Sequence, residues 1–208
     1  MGTLYKSLPE FLGEKIRNKL LEYALSNESQ FEATKVWEGR ISRQDERARV
    51  SSYLNDLGDF RAIIENHVLA QVPRLYSELG MTPFEPSGVE TEIVAHGDGA
   101  FYKRHIDTFT GTGRTPGEQD RLLSLVYYFY REPKSFSGGE LRLYPLPGLA
   151  GQTNEGGIDI TPVQDTAVAF ASWVPHEVLK ISCPSGEFAN SRFAVNCWVL
   201  RVGNTSKA

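Results

Sequence analysis

The chain has 208 residues, of which 40% are apolar, 23% charged and 11% aromatic, and its formal net charge is −4 at pH 7. This composition suits one globular domain spanning residues 1–208 with a substantial core, and its mild acidity argues against a nucleic-acid partner. No apolar run approaches the roughly 20 residues of a bilayer-spanning helix, so no membrane partner is expected.

The N-terminal "MGTLYKSLPEFLGEKIRNKL" lacks the apolar core and small-residue cleavage site of a secretory signal, and Lys6 stands where myristoylation requires Ser or Thr. The overlapping stretch "LPEFLGEKIRNKLLEYALSN" reads as helical, with Phe11, Leu12, Ile16, Leu20 and Leu21 recurring near a 3.6-residue period and Pro9 close to the start. Next comes "WEGRISRQDERARVSSYL", whose charged centre predicts an exposed loop flanked by strand. Its segment 38–49 is a candidate lid, because it has little to bury. A second helix follows, with Phe60, Ile63, Ile64, His67, Val68, Val72, Leu75 and Leu79 on one stripe. Asp59 is its expected N-cap and Gly80 its stop, and Pro73 should kink or divide it. From residue 88 the pattern becomes one of strands: "VETEIVAH", "RLLSLVYYFYRE", "GELRLYP", "TAVAFAS", "HEVLKIS" and "RFAVNCWVLR". Short strands separated by turn residues, with no helix between them, predict an antiparallel jelly roll over 88–202. The region 1–87 then acts as a helical support packed on one sheet. The cysteines, Cys183 and Cys197, are too few for a disulfide framework, and a reduced, cytoplasmic chain is expected.

The chemistry concentrates in "FYKRHIDTF", residues 101–109. On a strand, His105 and Asp107 project to the same face. His67, by contrast, falls on a helix stripe and reads as packing. His176, in "SWVPHEVLKIS", follows a proline that belongs at a strand's start or edge, which puts His176 on the rim of the barrel. Two imidazoles and one carboxylate with open positions form the facial triad of non-haem Fe(II) oxygenases, whereas a closed zinc site would want a fourth ligand. His-x-Asp alone also arises by chance among ordinary polar residues. In "SRFAVNCWVL", Arg192, Ala194, Asn196 and Trp198 share one strand face. A guanidinium there needs an anion if it is buried, and a dicarboxylate would suit its fork; the alternative is an arginine at a strand end reaching solvent.

Taken in order, "GDGAFYKRHID", "LVYYFYREPKSFSGGELRLYP", "VPHEV" and "RFAVNCWV" resemble the 2-oxoglutarate- and Fe(II)-dependent dioxygenases of the prolyl 4-hydroxylase and oxygen-sensing prolyl hydroxylase type. The resemblance covers residues 88–202. It implies a double-stranded β-helix with Fe(II) on His105, Asp107 and His176, and the distal carboxylate of 2-oxoglutarate on Arg192. It also implies a hydrogen bond to that carboxylate from Tyr128, which shares a strand face with Val126 and Ser124. Asn196 and Trp198 line the same pocket by alternation. His96 departs from the family pattern, standing where many relatives carry a tyrosine that contacts the cosubstrate. The stretch 183–190 looks like an expanded hairpin turn. Further candidate pocket or substrate contacts are Tyr102, Trp173, Arg43, Arg47 and Arg49, and the glycine-rich segment 108–120 is a second candidate substrate loop.

The activity implied by the resemblance is hydroxylation of a C–H bond coupled to decarboxylation of 2-oxoglutarate to succinate, with O₂ as cosubstrate and ascorbate as a candidate reductant. A prolyl residue of a protein or peptide is the leading substrate, and a free amino acid or other small molecule the alternative. A jelly roll that binds metal or acid without turnover would lack a ligand or the anion-binding arginine, and neither is missing. The sequence leaves the oligomeric state open.

Overall fold

The structure, a computed structural model, describes residues 2–34, 36–38, 41–43, 45–108, 118–145 and 157–202, with backbone alone at 36–38 and 41–43. In chain order the elements are β1 (Tyr5–Leu8), α1 (Glu14–Ser26), β2 (Glu32–Ala33), β3 (Val36–Glu38), β4 (Ile41–Arg43), β5 (Arg49–Val50), β6 (Ser52–Leu54) and α2 (Phe60–Leu79). Strands follow: β7 (Gly88–His96), β8 (Phe101–His105), β9 (Gln119–Phe129), β10 (Ser137–Gly138), β11 (Leu141–Leu143) and β12 (Ile158–Ile160). The last four are β13 (Thr166–Ala171), β14 (His176–Val178), β15 (Ile181–Ser182) and β16 (Arg192–Val202).

The strands form the expected jelly roll. A seven-stranded sheet runs β1-β13-β9-β16-β7-β6-β2, and a five-stranded sheet runs β12-β11-β14-β8-β5. Their paired neighbours are antiparallel. The helices join the large sheet, as the apolar stripes require. In α2, Ile64, Val68, Val72 and Leu75 recur at three- and four-residue steps and are buried. They share one core with Leu20 and Ala24 of α1 and with Tyr127, Phe193, Val195, Cys197 and Val199 of the sheet. Phe11 meets Tyr127, and Phe31 meets Phe193. The helical side of β9 and β16 is thus the one carrying residues 127 and 193. Their opposite face turns toward the small sheet.

Several expectations change in detail. The first helix begins only at Glu14, because residues 5–8 pair with β13 as an edge strand and Phe11 and Leu12 fill the turn between them. Pro73 lies inside one uninterrupted helix, so the expected division does not occur. Gly80, at φ 65°, ends that helix and lets the Met81 N–H reach back to the Tyr76 carbonyl, 2.8 Å away. Residues 183–190 are no hairpin turn, because β15 pairs with β10 and the chain then crosses to the large sheet. Both cysteines are free and buried. Of the candidate lid, residues 39, 40 and 44 lie outside the described residues, and its last residue, Arg49, is fixed in the small sheet by pairing with β8. Most of the glycine-rich segment, 109–117, also lies outside them.

One buried carboxylate ties the N-terminal region to the barrel. Asp165 accepts the Leu12 N–H at 3.1 Å, the Gly13 N–H at 3.0 Å and the Tyr127 hydroxyl at 2.9 Å. The turn into α1, whose N-cap Gly13 makes no side-chain cap, is therefore held from another element through the Leu12 and Gly13 N–H groups. Asp165 itself sits at φ 55°, a conformation that asparagine also tolerates. Asp165→Asn should cost about 1–3 kcal/mol, since an amide would face the Gly13 N–H with a donor and strand it. Urea unfolding measures this, and an unchanged midpoint would show that the carboxylate does not secure the helix.

Candidate functional site

The two sheets enclose a cleft of about 330 Å³, lined by residues from both. From the small sheet, His105 closes β8 and His176 opens β14, directly opposite one another in the ladder. Asp107 lies just past the end of β8 rather than on it. Its N–H donates to the Ser172 carbonyl at 2.9 Å, and Thr108 N–H reaches the same oxygen at 3.2 Å. The bend that Ser172 holds gives Asp107 the direction the sequence assigned to an extended strand. A ligand atom from each of His105, Asp107 and His176 lies within 4.8 Å of the other two.

The hydrogen bonds behind these residues decide what they offer in front. His105 Nδ1 is 2.8 Å from the Lys103 carbonyl, and His176 Nδ1 is 2.9 Å from that of Val174. A carbonyl only accepts, so each Nδ1 carries a proton and each Nε2 faces the carboxylate. The Nε2–oxygen distances to Asp107 are 3.6 and 3.5 Å. Burial lowers the His176 pKa to about 4, against the opposing pull of Asp107. At neutral pH its Nε2 therefore presents a lone pair to a carboxylate. Burial would raise the Asp107 carboxyl, but His176, His105 and the Ser124 hydroxyl outweigh it and hold it far below the usual range. Ser124 donates to Asp107 Oδ2 at 2.7 Å and lies 2.9 Å from the Ser172 hydroxyl. Two imidazole nitrogens and an ionised carboxylate converging on one point fit a divalent cation, with open positions beside them.

Arg192, the first residue of β16, is 1% exposed and reaches into the same cleft from the large sheet. Among the described residues no carboxylate pairs with it. Its Nε and Nη2, and the Tyr128 hydroxyl, are buried without a partner. The Tyr128 ring lies beneath the guanidinium, with Cζ 4.8 Å from the ring centroid. Gly139, at φ 74°, leaves room beside them, because a Cβ there would stand 2.8 Å from Arg192 Cδ. Burial lowers the Arg192 pKa, the signature of a cation without its anion. A small carboxylate placed here would meet every orphaned donor.

The structure gathers most of the residues singled out in the sequence. His96, Tyr102, Asn196, Trp198 and Arg49 all line the cleft. A bulge sets two residues of β8, Lys103 and Arg104, against one of β14, Glu177, and Tyr102 stacks on His105 at 3.6 Å between centroids. Asn196 donates to Glu92 at 3.1 Å, and Arg49 pairs with the same carboxylate oxygen at 3.4 Å while covering Tyr102. Trp173 and Arg47 are not among the lining residues. Trp173 is 37% exposed, and Arg47 pairs with Asp45 at the surface. The Arg43 side chain lies outside the described residues. Sequence reasoning passed over Ser124, Glu92 and Arg121, although strand alternation aligns Ser124 with Tyr128 and Glu92 with His96. Arg121 lies 3.7 Å over the Trp198 ring and pairs with Glu90 at 2.6 Å.

The family model of the 2OG-Fe(II) oxygenase superfamily matches residues 91–200, which include the convergent triad and Arg192. A PKHD-type hydroxylase of Synechocystis sp., itself uncharacterized, is 33% identical over 205 residues, which is 98% of this chain. The chain spans 65% of that relative's length. Among solved structures, a Pseudomonas putida prolyl-4-hydroxylase superposes with a TM-score of 0.64 at 23% identity, over 96% of this chain and 94% of its own. A Trichoplax adhaerens prolyl hydroxylase, solved with a peptide fragment of hypoxia inducible factor, also gives 0.64, at 24% identity over 94% and 83% of the two chains. At those identities the likeness to the solved structures is one of fold. The match to the family model runs over more than half the chain and through the whole inner cleft, and on it the chain belongs to the 2OG-Fe(II) oxygenase superfamily.

Proposed function

We propose that this oxygenase hydroxylates a prolyl residue of a protein or peptide, holding Fe(II) on His105, Asp107 and His176 and 2-oxoglutarate on Arg192. The observation that carries the site is the orphaned Arg192 guanidinium, which opens onto the same cleft as the triad. The prolyl substrate draws its support from the relatives: solved neighbours are a prolyl-4-hydroxylase and a prolyl hydroxylase with a bound peptide.

When bound, iron and 2-oxoglutarate with O₂ supply the oxidising equivalents for C–H hydroxylation, the 2-oxo acid leaving as succinate and CO₂. The protein binds and orients. His105 and His176 present Nε2 because their Nδ1 protons are committed to backbone carbonyls. Ser124 fixes the Asp107 carboxylate, and Arg192 and Tyr128 receive the distal carboxylate. Tyr102, Arg121 and Trp198 give the outer cleft flat, partly charged surfaces against which an extended peptide would lie.

A second reading, a free amino acid as substrate, is favoured by Arg49 and Glu92. They place opposite charges in the cleft only 3.4 Å apart, where a zwitterion could exchange partners with them. A mass-spectrometric screen for a +16 Da product, against a prolyl peptide library and a metabolite extract, separates the readings. A product only in the extract would overturn the prolyl assignment.

Arg192→Ala should raise the 2-oxoglutarate requirement by about ten- to several-hundred-fold, on ~1.5–3 kcal/mol for a charge-assisted pair and more where a buried group is stranded. Iron binding should be nearly unchanged, and normal 2-oxoglutarate affinity would remove Arg192 from the site. Asp107→Ala should abolish iron-dependent decarboxylation while leaving the fold intact, because the residue sits on a bend rather than in the apolar core. Ser124→Ala tests the support behind the ligand. It should weaken Mn(II) binding by about tenfold or more, read by the loss of the free-ion paramagnetic signal on titration, and an unaltered curve would show that Asp107 needs no such support.

A further inference from the structure

Beside the Tyr128 ring beneath it, the Arg192 guanidinium has one hydrogen-bonding partner among the described residues. The large sheet pairs β16 with β7 so that Arg192 lies directly opposite His96, and Nη1 stands 3.2 Å from the His96 Nδ1. A guanidinium can only donate, so Nδ1 must accept, and the imidazole carries its single proton on Nε2. Both side chains are withdrawn from water, Arg192 at 1% and His96 at 3% exposure. Burial, then the positive charges of Arg192 and Arg49, hold the His96 pKa well below its ordinary value, so the imidazole stays neutral and able to accept.

Committing Nη1 to His96 leaves the other edge of the guanidinium. Nε and Nη2, the two N–H groups without partners, lie on that edge and point the same way. Together they form the fork that engages both oxygens of a carboxylate. Gly139 keeps this edge clear, since a Cβ there would come within 3.2 Å of Nε.

We propose that His96 is a positioning residue for cosubstrate selection: its Nδ1 holds Arg192 with the Nε–Nη2 edge open, and this orientation sets the preference for a 2-oxo diacid over a 2-oxo monoacid. The proposal rests on the reading of Arg192 as the partner of the distal carboxylate. An aliphatic side chain at 96 would strand Nη1 and release the guanidinium to turn about its terminal bonds. The diacid would then have to order it again on binding, whereas an acid without a distal carboxylate would lose nothing.

The test is calorimetric binding of 2-oxoglutarate and of 2-oxobutyrate to anaerobic, Mn(II)-loaded protein. For His96→Leu, 2-oxoglutarate affinity should fall about tenfold, equivalent to ~1.4 kcal/mol, with 2-oxobutyrate unchanged. His96→Asn, whose Oδ1 can occupy the place of Nδ1, should recover to within about threefold of the parent. Should His96→Leu not fold, His96→Gln carries the same expectation as the leucine variant, because its amide lies one bond too far out to replace Nδ1. Equal losses for both acids, or unchanged 2-oxoglutarate affinity, would overturn the role of His96. Arg192→Ala tells the two levels apart. If it keeps the preference for the diacid, the reading of Arg192 fails; if it loses that preference while the His96 variants retain it, only the positioning role fails.

Discussion

Two imidazole nitrogens and a carboxylate are turned toward one point, and the surrounding backbone holds them there. The Lys103 and Val174 carbonyls take the Nδ1 protons, so neither ring can turn its Nε2 away without giving up a hydrogen bond. Ser172 does more than any side chain in the triad. Its carbonyl accepts from Asp107 and Thr108, its N–H donates to Leu122, and its hydroxyl meets Ser124. One residue in the turn before β14 thereby joins the end of β8, the middle of β9 and the carboxylate. The protein's own hydrogen bonds thus fix the directions of all three side chains, as the bonds behind a metal ligand ordinarily do.

The large sheet supplies the other half of the site by serving two environments with alternate residues. On β16, Phe193, Val195, Cys197 and Val199 join the core shared with the helices, while Arg192, Asn196 and Trp198 line the cleft. Anchoring one face in a packed core fixes the direction of the other. The helices thus contribute to the chemistry without touching it. Packed sheets stand roughly 10 Å apart, and the triad on one sheet and Arg192 on the other line the same cleft between them.

Much of this was legible in the sequence, for reasons that differ by element. The 3.6-residue stripe of α2 and the two-residue alternation of β7, β9 and β16 are long enough to be read directly, and alternation alone put Asn196 and Trp198 beside Arg192. Strands of two or three residues carry no such signal. β5 exists because the longer β8 offers it an edge, β12 pairs with a strand as short as itself, and β1 lies just ahead of the stretch that reads as helix. The convergence of His105 with Asp107 was anticipated for a partly mistaken reason, since the strand ends at His105 and a bend completes the geometry. Ser172 was invisible because its contribution is mainly through its backbone. The bond from Arg192 to His96 depends on strand register, which no local pattern reports.

The partners of the neighbouring arginines are the reason for placing the proposed anion site at Arg192 rather than at another. Arg121 has Glu90 at 2.6 Å and Arg49 has Glu92 at 3.4 Å, so each already faces a carboxylate. Arg142 is paired with Asp159 and Glu177 and is not among the cleft's lining residues. An incoming anion at any of these would have to displace an existing partner, and the exchange would return little. Among the described residues, Arg192 has no anion to displace. It is the most deeply buried of the four, and a neutral imidazole occupies only one of its N–H groups. Desolvation has therefore already been incurred on folding, and the full interaction with a carboxylate remains to be gained. The difference between these guanidiniums is one of partners rather than of charge, and it supports the proposal of a dicarboxylate on Arg192 rather than on the arginines that already face a carboxylate.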